Sequence, residues 1–462
     1  MINYFSPETY YKRRKNLLNE IKNGIILFLG NQNASINYKD NHYRFRQDSS
    51  FLYFFGIDLP NFAAIMDAES GEEIIFADDF SQEDIIWMGA QPLVKDLTAI
   101  CKVKQTQCFE DIYKYLQNVT DQNRIIHFLP PYRYHHILFY EKIFKTVFLP
   151  SSELIRTVVK LREIKTEEEI KEIEKACNVA YQMHLSVMMA AKPGKTEKEL
   201  TIQMEKIASE KAYMPSFQII LSQNGHILHN HLHDKTLKKG RLLLVDAGAE
   251  TDLHYASDFT RVTPVGGVFS SKQKDIYQIV LDANEKATSL IHPGITFYDI
   301  HMAACKVVVE GLKNIGIMKN NTDEALASGA HTLFMPHGLG HMMGLDVHDM
   351  ESLGEDFVGY SATVKRSKQF GTAYLRLGKE LKQGFVLTNE PGIYFIPMLI
   401  HQWKKQNLFK EFINYDKLEK EYLDFGGIRL EDDILVTDTG CRLLGEKRLP
   451  ITIGEIETIA KN

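Results

Sequence analysis

The chain has 462 residues, of which 44% are hydrophobic and 25% charged, as is ordinary for a soluble globular protein with a large core. This length predicts two or three domains. The net charge of −6 gives no electrostatic reason to expect a nucleic acid or an anionic membrane as a partner. We find neither an apolar run of about 18 residues that would cross a bilayer nor an N-terminal apolar segment of the secretory type.

The five cysteines are scattered and form neither a Cys-x-x-Cys pair nor an even-numbered disulfide framework. They are Cys101, Cys108, Cys177, Cys305 and Cys441. Because such a pattern is typical of a reducing compartment, we expect a cytoplasmic protein.

We expect the first ~150 residues to form a small α/β domain. A helical pattern covers Glu8–Ile21, and the apolar run Gly24–Gly30 that follows predicts a buried strand. Two strands, Phe62–Asp67 and Glu72–Phe76, flank turn-forming residues and predict a hairpin. The segment Pro150–Lys165 has no clear hydrophobic period, and we place the boundary there, between a domain of residues 1–160 and a domain of residues 161–462.

Two Thr-x-x-Glu capping boxes mark the helices that open the second domain. The box at Thr166 begins a long amphipathic helix, and the box at Thr196 begins another helix after the stop signal of a Pro-Gly pair. Apolar runs with strand character then follow at Phe217–Leu221, Leu242–Asp246 and His254–Pro264.

The same order of elements recurs one hundred positions later in the chain. A helical stretch from Ser271 runs into His292-Pro293-Gly294, and a second amphipathic stretch covers Phe297–Ile315 before further apolar runs. Helix, Pro-Gly stop, helix and strands, twice over, predict an internal duplication. Two related halves would meet at a cleft, where ligand sites tend to lie.

Metal-type ligands occur at four places in the second domain. They are Asp246, Asp258, the glycine-rich run His337–His341 that continues to His348, and the glutamate pair Glu390 and Glu431. Each one alone has an ordinary explanation, since an aspartate at a strand end is usually a turn residue and a glutamate before Pro-Gly is usually solvated.

Taken together, the four carboxylates predict a metal centre. Each lies among apolar residues, where an unpaired carboxylate is costly to bury, and four of them in one place would force some to be protonated. Two divalent cations balance the four negative charges and provide the shared hydroxide that a two-metal hydrolase uses as its nucleophile. Four carboxylates and one imidazole favour Mn²⁺ or a similar ion over thiolate-seeking metals, with zinc left open.

The motifs that carry these residues resemble those of the aminopeptidase P and prolidase family of metallopeptidases. They are VDAGAE, YASDFTR, MPHGLGH, DVHD, TNEPGIYF and GGIRLEDD, and the run YRFRQDSSFLY resembles the start of that family's accessory domain. The resemblance implies the pita-bread fold, in which duplicated halves surround a dinuclear metal site. It therefore predicts an α/β protein with an N-terminal α/β accessory domain and a C-terminal pita-bread domain.

The resemblance also implies roles for individual residues. Asp258 and Glu431 would bridge two ions, and Glu390 would take a proton from the metal-bound water. The full set of implied metal ligands is Asp246, Asp258, His341, Glu390 and Glu431. The implied catalytic or substrate-binding residues are His229, His337, His348, Arg376, Glu390, Tyr394 and Arg429, of which Arg429 would steady the acidic cluster.

Two local features depart from the simplest pattern. Asp246 and Asp258 are twelve positions apart, one more than is usual in the family, and we expect the extra residue in a hairpin tip at Glu250–His254. The neighbours of His229 include three more histidines, at positions 226, 231 and 233. We interpret these three as solvated neighbours of one active-site histidine rather than as a second metal site.

Within this family, aminopeptidases remove the first residue from longer Xaa-Pro peptides, whereas prolidases cleave only Xaa-Pro dipeptides. Here 41 residues lie between His348 and Glu390, and 40 between Glu390 and Glu431, which resembles the prolidases. Arg376 matches a prolidase arginine that binds the substrate's carboxylate. The alternative is that Arg376 is simply one of several basic residues in this stretch. We therefore favour an Xaa-Pro dipeptidase, with an Xaa-Pro aminopeptidase as the alternative.

Two other classes of protein are alternatives to a proline-specific exopeptidase. A non-catalytic relative that binds peptides would be expected to lose ligands, and all five are present. A methionine aminopeptidase uses the same scaffold, but the long N-terminal domain argues against it. Relatives commonly form dimers or tetramers through that domain, so we expect a homodimer or homotetramer that acts on Xaa-Pro dipeptides or short proline-containing peptides, without nucleic acid or membrane partners.

Overall fold

The structure is a computed structural model that describes residues 4–144 and 148–461. The chain divides into two compact units, one of residues 1–162 with 350–357 and one of residues 163–349 with 358–462. Among the described helices, none combines the length and the apolar character that a bilayer crossing requires.

The first unit contains a mixed sheet of five strands. Its strand order is β4-β3-β2-β1-β5, with β1 parallel to β5, β3 parallel to β4, and the other pairs antiparallel. The elements are α1 (Pro7–Glu20), β1 (Ile25–Leu29), α2 (Ser49–Phe55), β2 (Ala63–Asp67), β3 (Glu73–Phe76), α3 (Gln82–Met88), α4 (Val94–Ala99), β4 (Gln105–Gln107), α5 (Asp111–Asp121), β5 (Ile126–His127), α6 (Tyr134–Phe144) and α7 (Ser152–Arg162).

Most of the local predictions for this unit are confirmed. The hairpin of β2 and β3 is present, and its turn is held by Asp67, whose Oδ1 accepts hydrogen bonds from the backbone N–H groups of Glu69 and Ser70. Helix α7, however, occupies the segment in which no period was evident. Its buried face includes Thr157 and Arg162 beside the apolar residues, so hydrophobicity alone does not show the helical repeat.

The second unit holds two pairs of long helices and several short sheets, and the short helix α13 lies at the end of the segment 350–357 that belongs to the first unit. From residue 163 on, the elements are α8 (Glu167–Ala190), α9 (Glu197–Lys211), β6 (Met214–Pro215), β7 (Ile220–Ser222), β8 (Leu242–Ala247), β9 (Ala249–Glu250), β10 (Phe259–Pro264), α10 (Ser271–Leu290), α11 (Phe297–Asn314), α12 (Thr322–Ser328), α13 (Glu355–Val358), β11 (Val386–Asn389), β12 (Gly392–Tyr394), α14 (Pro397–Lys405), α15 (Tyr415–Glu421), β13 (Gly427–Arg429), β14 (Asp432–Val436), β15 (Cys441–Leu443) and α16 (Ile453–Lys461).

The two helix pairs repeat one arrangement, as the sequence predicts. Both predicted capping boxes are formed, at Thr166 and Thr196. In the first half the backbone N–H of Gly194 donates to Leu237 O at 3.0 Å, and in the second half Gly294 donates to Leu381 O at 2.9 Å. The glycine at each helix stop is therefore bonded in the same way to a chain segment that follows its helix pair.

The strands that carry the predicted acidic residues are buried along their length. In the sheet β10-β8-β7 every residue is buried, and apolar side chains of α8 and α9 pack in the same core cluster as those of β7 and β8. Strand β10 starts only at Phe259, later than predicted, because His254 adopts a positive φ of 66° in a turn that begins at Thr251. Strand β7 likewise starts at Ile220.

Candidate metal centre and active site

Strand pairing brings three distant carboxylates together around Thr260. In the antiparallel pair of β8 and β10, Thr260 lies opposite Asp246. Thr260 also forms a bridge to Glu431, which directly precedes β14, while Asp258 directly precedes β10. The hydroxyl of Thr260 donates to Glu431 Oε2 at 2.7 Å. Asp246, Asp258 and Glu431 therefore lie at one place in the fold.

His341 completes this group. One ligand atom from each of Asp258, His341 and Glu431 lies within 4.8 Å of the other two, and all three residues are buried. His341 Nε2 is 3.5 Å from Asp258 Oδ2 and 3.7 Å from Glu390 Oε1. Because His341 Nδ1 donates to Met342 O at 3.0 Å, the neutral ring directs the lone pair of Nε2 towards the carboxylates, as a metal ligand requires.

Three of the carboxylates, Asp258, Glu390 and Glu431, are costly to ionise where they lie. Burial, reinforced by Glu431 and Asp246, raises the pKa of Asp258 well above its ordinary value. Burial, reinforced by Glu390, does the same for the pKa of Glu431, and it raises the pKa of Glu390 to about 7.

Two of their oxygens, Asp246 Oδ1 and Asp258 Oδ1, are buried without a hydrogen-bond partner in the described structure. Unpaired carboxylate oxygens next to a correctly oriented imidazole fit divalent cations, which would neutralise the cluster and ligate these atoms.

The guanidinium of Arg429 is in direct contact with the cluster. Its Nη2 donates to Asp246 Oδ2, and its Nε donates to Thr260 Oγ1 at 2.9 Å. Because Thr260 in turn bonds Glu431, the guanidinium holds one carboxylate directly and a second through a hydroxyl. Its Nη1 donates to the Tyr394 hydroxyl at 2.8 Å.

His337 is held by a chain of hydrogen bonds that begins at this arginine. Its Nδ1 is 2.7 Å from Gly338 O and its Nε2 is 3.0 Å from the Tyr394 hydroxyl. Since a carbonyl oxygen can only accept, Nδ1 carries the proton and Nε2 accepts from Tyr394. Burial, with a contribution from Arg429, lowers the pKa of His337 to about 3, which keeps the ring neutral.

Two buried polar residues that the sequence analysis did not single out hold the strand ends. Asn284 Nδ2, on α10, donates to Asn389 O at 3.2 Å and to Leu430 O at 3.1 Å, the residues directly before Glu390 and Glu431. Asp433 Oδ2 accepts the backbone N–H of Asp258 at 2.9 Å. The signal available for Asn284 was a polar side chain on the buried face of an amphipathic helix.

The acidic cluster, His341 and Arg429 line a cavity of about 360 Å³. Every predicted site residue lines it except Tyr394, which lies behind His337. The predicted residues at the cavity wall are His229, Asp246, Asp258, His337, His341, His348, Arg376, Glu390, Arg429 and Glu431. Lining residues that were not predicted are Phe217, Gln218, Ile220, Leu228, His231, Gly338, Gly340, Val347 and Tyr374.

The histidines near His229 differ from one another in their surroundings. His231, expected to be only a solvated neighbour, is exposed but also lines the cavity. His233 Nε2 bonds Ile219 O at 2.9 Å. Within residues 4–144 and 148–461, the group of Asp258, His341 and Glu431 is the one cluster with metal-ligand geometry, and it includes none of these histidines.

Family comparisons agree with this geometry. Residues 171–438 match metallopeptidase family M24, and residues 10–127 match the aminopeptidase P N-terminal domain. The chain belongs to metallopeptidase family M24. The family assignment, the α/β architecture of accessory and pita-bread domains, and the class of metallo-exopeptidase are thereby confirmed, and with them the requirement for divalent metal ions.

Individual M24 relatives are similar over almost the whole chain. A probable Xaa-Pro aminopeptidase of Fusarium vanettenii is 31% identical over 470 residues, which cover 99% of this chain and 97% of that protein. Zinc-substituted Escherichia coli aminopeptidase P in complex with product has a TM-score of 0.81 at 26% identity, with 99% of both chains covered. Aminopeptidase PepP of Pseudomonas aeruginosa has a TM-score of 0.80 at 27% identity, covering 100% of this chain and 99% of that one.

These similarities do not support the preference for dipeptides that the sequence analysis favoured. The relatives and structures are aminopeptidases, which was the alternative. The long gaps between the acidic motifs do not by themselves indicate a dipeptidase, because an insertion in a loop between those motifs leaves the acidic residues unchanged.

Proposed function

We propose that this chain is an Xaa-Pro aminopeptidase, which removes the N-terminal residue from peptides whose second residue is proline. The observation that carries the proposal is the convergence of four carboxylates and His341 in one cavity, with two buried carboxylate oxygens left unpaired. The names of the similar proteins support the choice of aminopeptidase over dipeptidase.

We assign the two cations to five ligands: Asp246, Asp258, His341, Glu390 and Glu431. When bound, a pair of divalent cations neutralises the carboxylates and activates water for attack on a carbonyl group. The oxygen-rich donor set supports Mn²⁺, with Zn²⁺ as the alternative. Metal analysis after dialysis into Mn²⁺ is expected to find close to two ions per chain, and protein that takes up none would contradict the assignment.

The other residues of the cavity are assigned to substrate handling. The peptide bond before proline has no N–H group, and the secondary amine that leaves must gain a proton. His337 Nδ1–H already donates to Gly338 O, so we assign proton transfer to Glu390, which lines the cavity. We assign substrate contact to three histidines, His229, His337 and His348. Tyr394 holds His337, and Arg429 holds Tyr394 and the acidic cluster.

Substrate length can be tested directly. We expect Ala-Pro-Ala to be hydrolysed under Mn²⁺ with a kcat/KM at least equal to that of Ala-Pro. Exclusive cleavage of Ala-Pro would restore the dipeptidase assignment.

Arg376 lines the cavity and offers a second test of substrate length. A salt bridge from its guanidinium to the carboxylate of a bound dipeptide would contribute more to binding than a hydrogen bond to the neutral carbonyl of a longer peptide. Arg376→Ala should raise KM for Ala-Pro roughly tenfold or more, and raise KM for Ala-Pro-Ala by less. Lys368→Ala removes an exposed charge from the same basic stretch and serves as the control. An unchanged KM for both peptides would exclude Arg376 from the binding site.

We also propose that the chain forms a homodimer, with a homotetramer as the alternative, through its N-terminal domain. Helix α3 supports this, because it has no buried residue and leaves Ile86 77% and Trp87 79% exposed. Light scattering of the wild-type protein is expected to give twice the chain mass, and that of Trp87→Lys is expected to give a lower mass. Tyr38→Lys changes another exposed aromatic residue and is the control, which should keep the wild-type mass. A wild-type protein with the mass of one chain would contradict the proposal.

The location in the cell and the domain limits also stay proposals. We propose a cytoplasmic protein, supported by five free cysteines. We retain residues 1–160 and 161–462 as the proposed limits of the two domains, since the family matches end at 127 and begin again at 171.

A further inference from the structure

Two exposed aromatic side chains lie next to each other beside the active-site cavity. Tyr374 lines the cavity and is 56% exposed, and Phe370 is 44% exposed. Their ring centroids are 6.2 Å apart in an edge-on arrangement, and the Phe370 ring is 5.8 Å from that of Trp403. Among the described residues of 163–349 and 358–461, these two are the only large aromatic side chains that are exposed. Exposed aromatic surface at the mouth of a cavity indicates contact with a ligand.

The backbone around Tyr374 packs closely against the segment that carries His337. Leu375 is fully buried and extended, so its neighbours Tyr374 and Arg376 both face the cavity. Gly338 allows this close packing, because a Cβ at that position would lie 2.6 Å from the Cα of Leu375. Tyr374 is therefore tied to the segment that carries His337.

Charge decides which end of a peptide lies against this wall. The guanidinium of Arg376 repels the N-terminal ammonium of a substrate, while the scissile carbonyl must reach the proposed metal centre. The carbonyl or carboxylate oxygens on the C-terminal side of proline are attracted to that guanidinium. A peptide bound in the cavity therefore directs its C-terminal side towards Arg376, and the residue after proline passes Tyr374.

We propose that Tyr374, supported by Phe370, forms a subsite for the side chain of the residue that follows proline, and that the enzyme selects peptides with an aromatic side chain at that position. The proposal rests on the proposed aminopeptidase function, since a dipeptidase has no substrate residue there. An aromatic pair contributes about 0.5–1.5 kcal/mol beyond area burial, which corresponds to a selectivity of roughly 2- to 12-fold.

The test compares kcat/KM for Ala-Pro-Phe and Ala-Pro-Gly in wild type and in variants. Wild type is expected to prefer Ala-Pro-Phe roughly 2- to 12-fold, mainly through KM. Tyr374→Ala should bring the ratio of the two kcat/KM values close to 1, Phe370→Ala should lower it partly, and Tyr374→Phe should preserve it. Met398→Ala removes an apolar side chain that is 84% exposed elsewhere in the same unit, and is the matched control.

The outcomes separate this proposal from the proposed function. Cleavage of both tripeptides with no preference in wild type, or with the same preference in Tyr374→Ala and Phe370→Ala as in wild type, overturns the subsite and leaves the aminopeptidase assignment intact. Cleavage of Ala-Pro without either tripeptide overturns both. Circular dichroism of each variant checks that a lost preference does not come from misfolding, and Tyr374→Phe shows whether the ring itself is needed.

Discussion

Asn284 joins the two chain segments that lead into Glu390 and Glu431, and Asn284→Leu removes this connection with little change in volume. The side chain is fully buried, and its amide donates to the carbonyl groups of Asn389 and Leu430. Its backbone carbonyl accepts a bond from Asn389 Nδ2 at 2.9 Å, which the substitution leaves in place. The variant therefore tests the two side-chain bonds specifically.

The expected magnitude follows from these bonds. Each buried hydrogen bond contributes about 1 kcal/mol net, and a buried carbonyl that loses a donor adds a further cost, so we expect the free energy of unfolding to fall by roughly 2–3 kcal/mol. The Asn284 Oδ1 contact to Arg448 is long, at 3.4 Å, and adds little. Removing partners that orient metal ligands typically weakens metal binding about 10- to 100-fold, and we expect that range for Mn²⁺.

The assay combines urea unfolding of the metal-free protein with competition titration of Mn²⁺ against an indicator. Gln278→Leu is the matched control, because Gln278 lies on the same helix, is exposed, and bonds only to Asp282 across one turn in the described structure. A surface change of this kind is expected to alter stability by less than about 0.5 kcal/mol. If Asn284→Leu behaved like Gln278→Leu in both measurements, the proposed connection between these two segments would be refuted.

Three further predictions follow from other contacts. Chelation should abolish activity and lower the thermal midpoint of unfolding. Calorimetry should show that Mn²⁺ at about 100 times its Kd restores about 2.7 kcal/mol of stability per site in wild type, and less in Asp258→Ala. Lys165→Met should destabilise the fold by about 3–5 kcal/mol, because it leaves Asp349 buried without the amine now 2.8 Å away. Urea unfolding should show that the double variant Lys165→Met/Asp349→Leu recovers part of the lost stability. Burial opposes ionisation of Asp67, but its bonds to Arg124 and to backbone N–H groups hold its pKa below the ordinary 3.8. That carboxylate therefore stabilises the fold above this pH and loses its effect as the pH falls through the folded-state pKa. The difference in urea midpoint between wild type and Asp67→Asn should be largest above pH 5 and shrink below pH 3.8; a constant difference would contradict it.

Local signals accounted for many of the elements and for the identity of the acidic residues. The capping boxes at Thr166 and Thr196 begin helices as expected, since a cap depends on residues only three positions apart. Helix α7 was not predicted from the sequence because two of its buried positions are polar. The late start of β10 was missed because the turn before it depends on the left-handed conformation of His254 and its contact with Glu250.

The amino-acid sequence alone determined which side chains were available for the site, because the motifs and their acidic residues are local features of the chain. Only the tertiary structure decided which of them meet. Thr260 lies opposite Asp246 and beside Glu431, and Asn284 bonds, from a helix, the residues directly before Glu390 and Glu431. It also decided that Tyr374 lies at the wall of the cavity. Such contacts join residues far apart in the chain, and their geometry depends on how whole elements pair and pack, which no local pattern encodes.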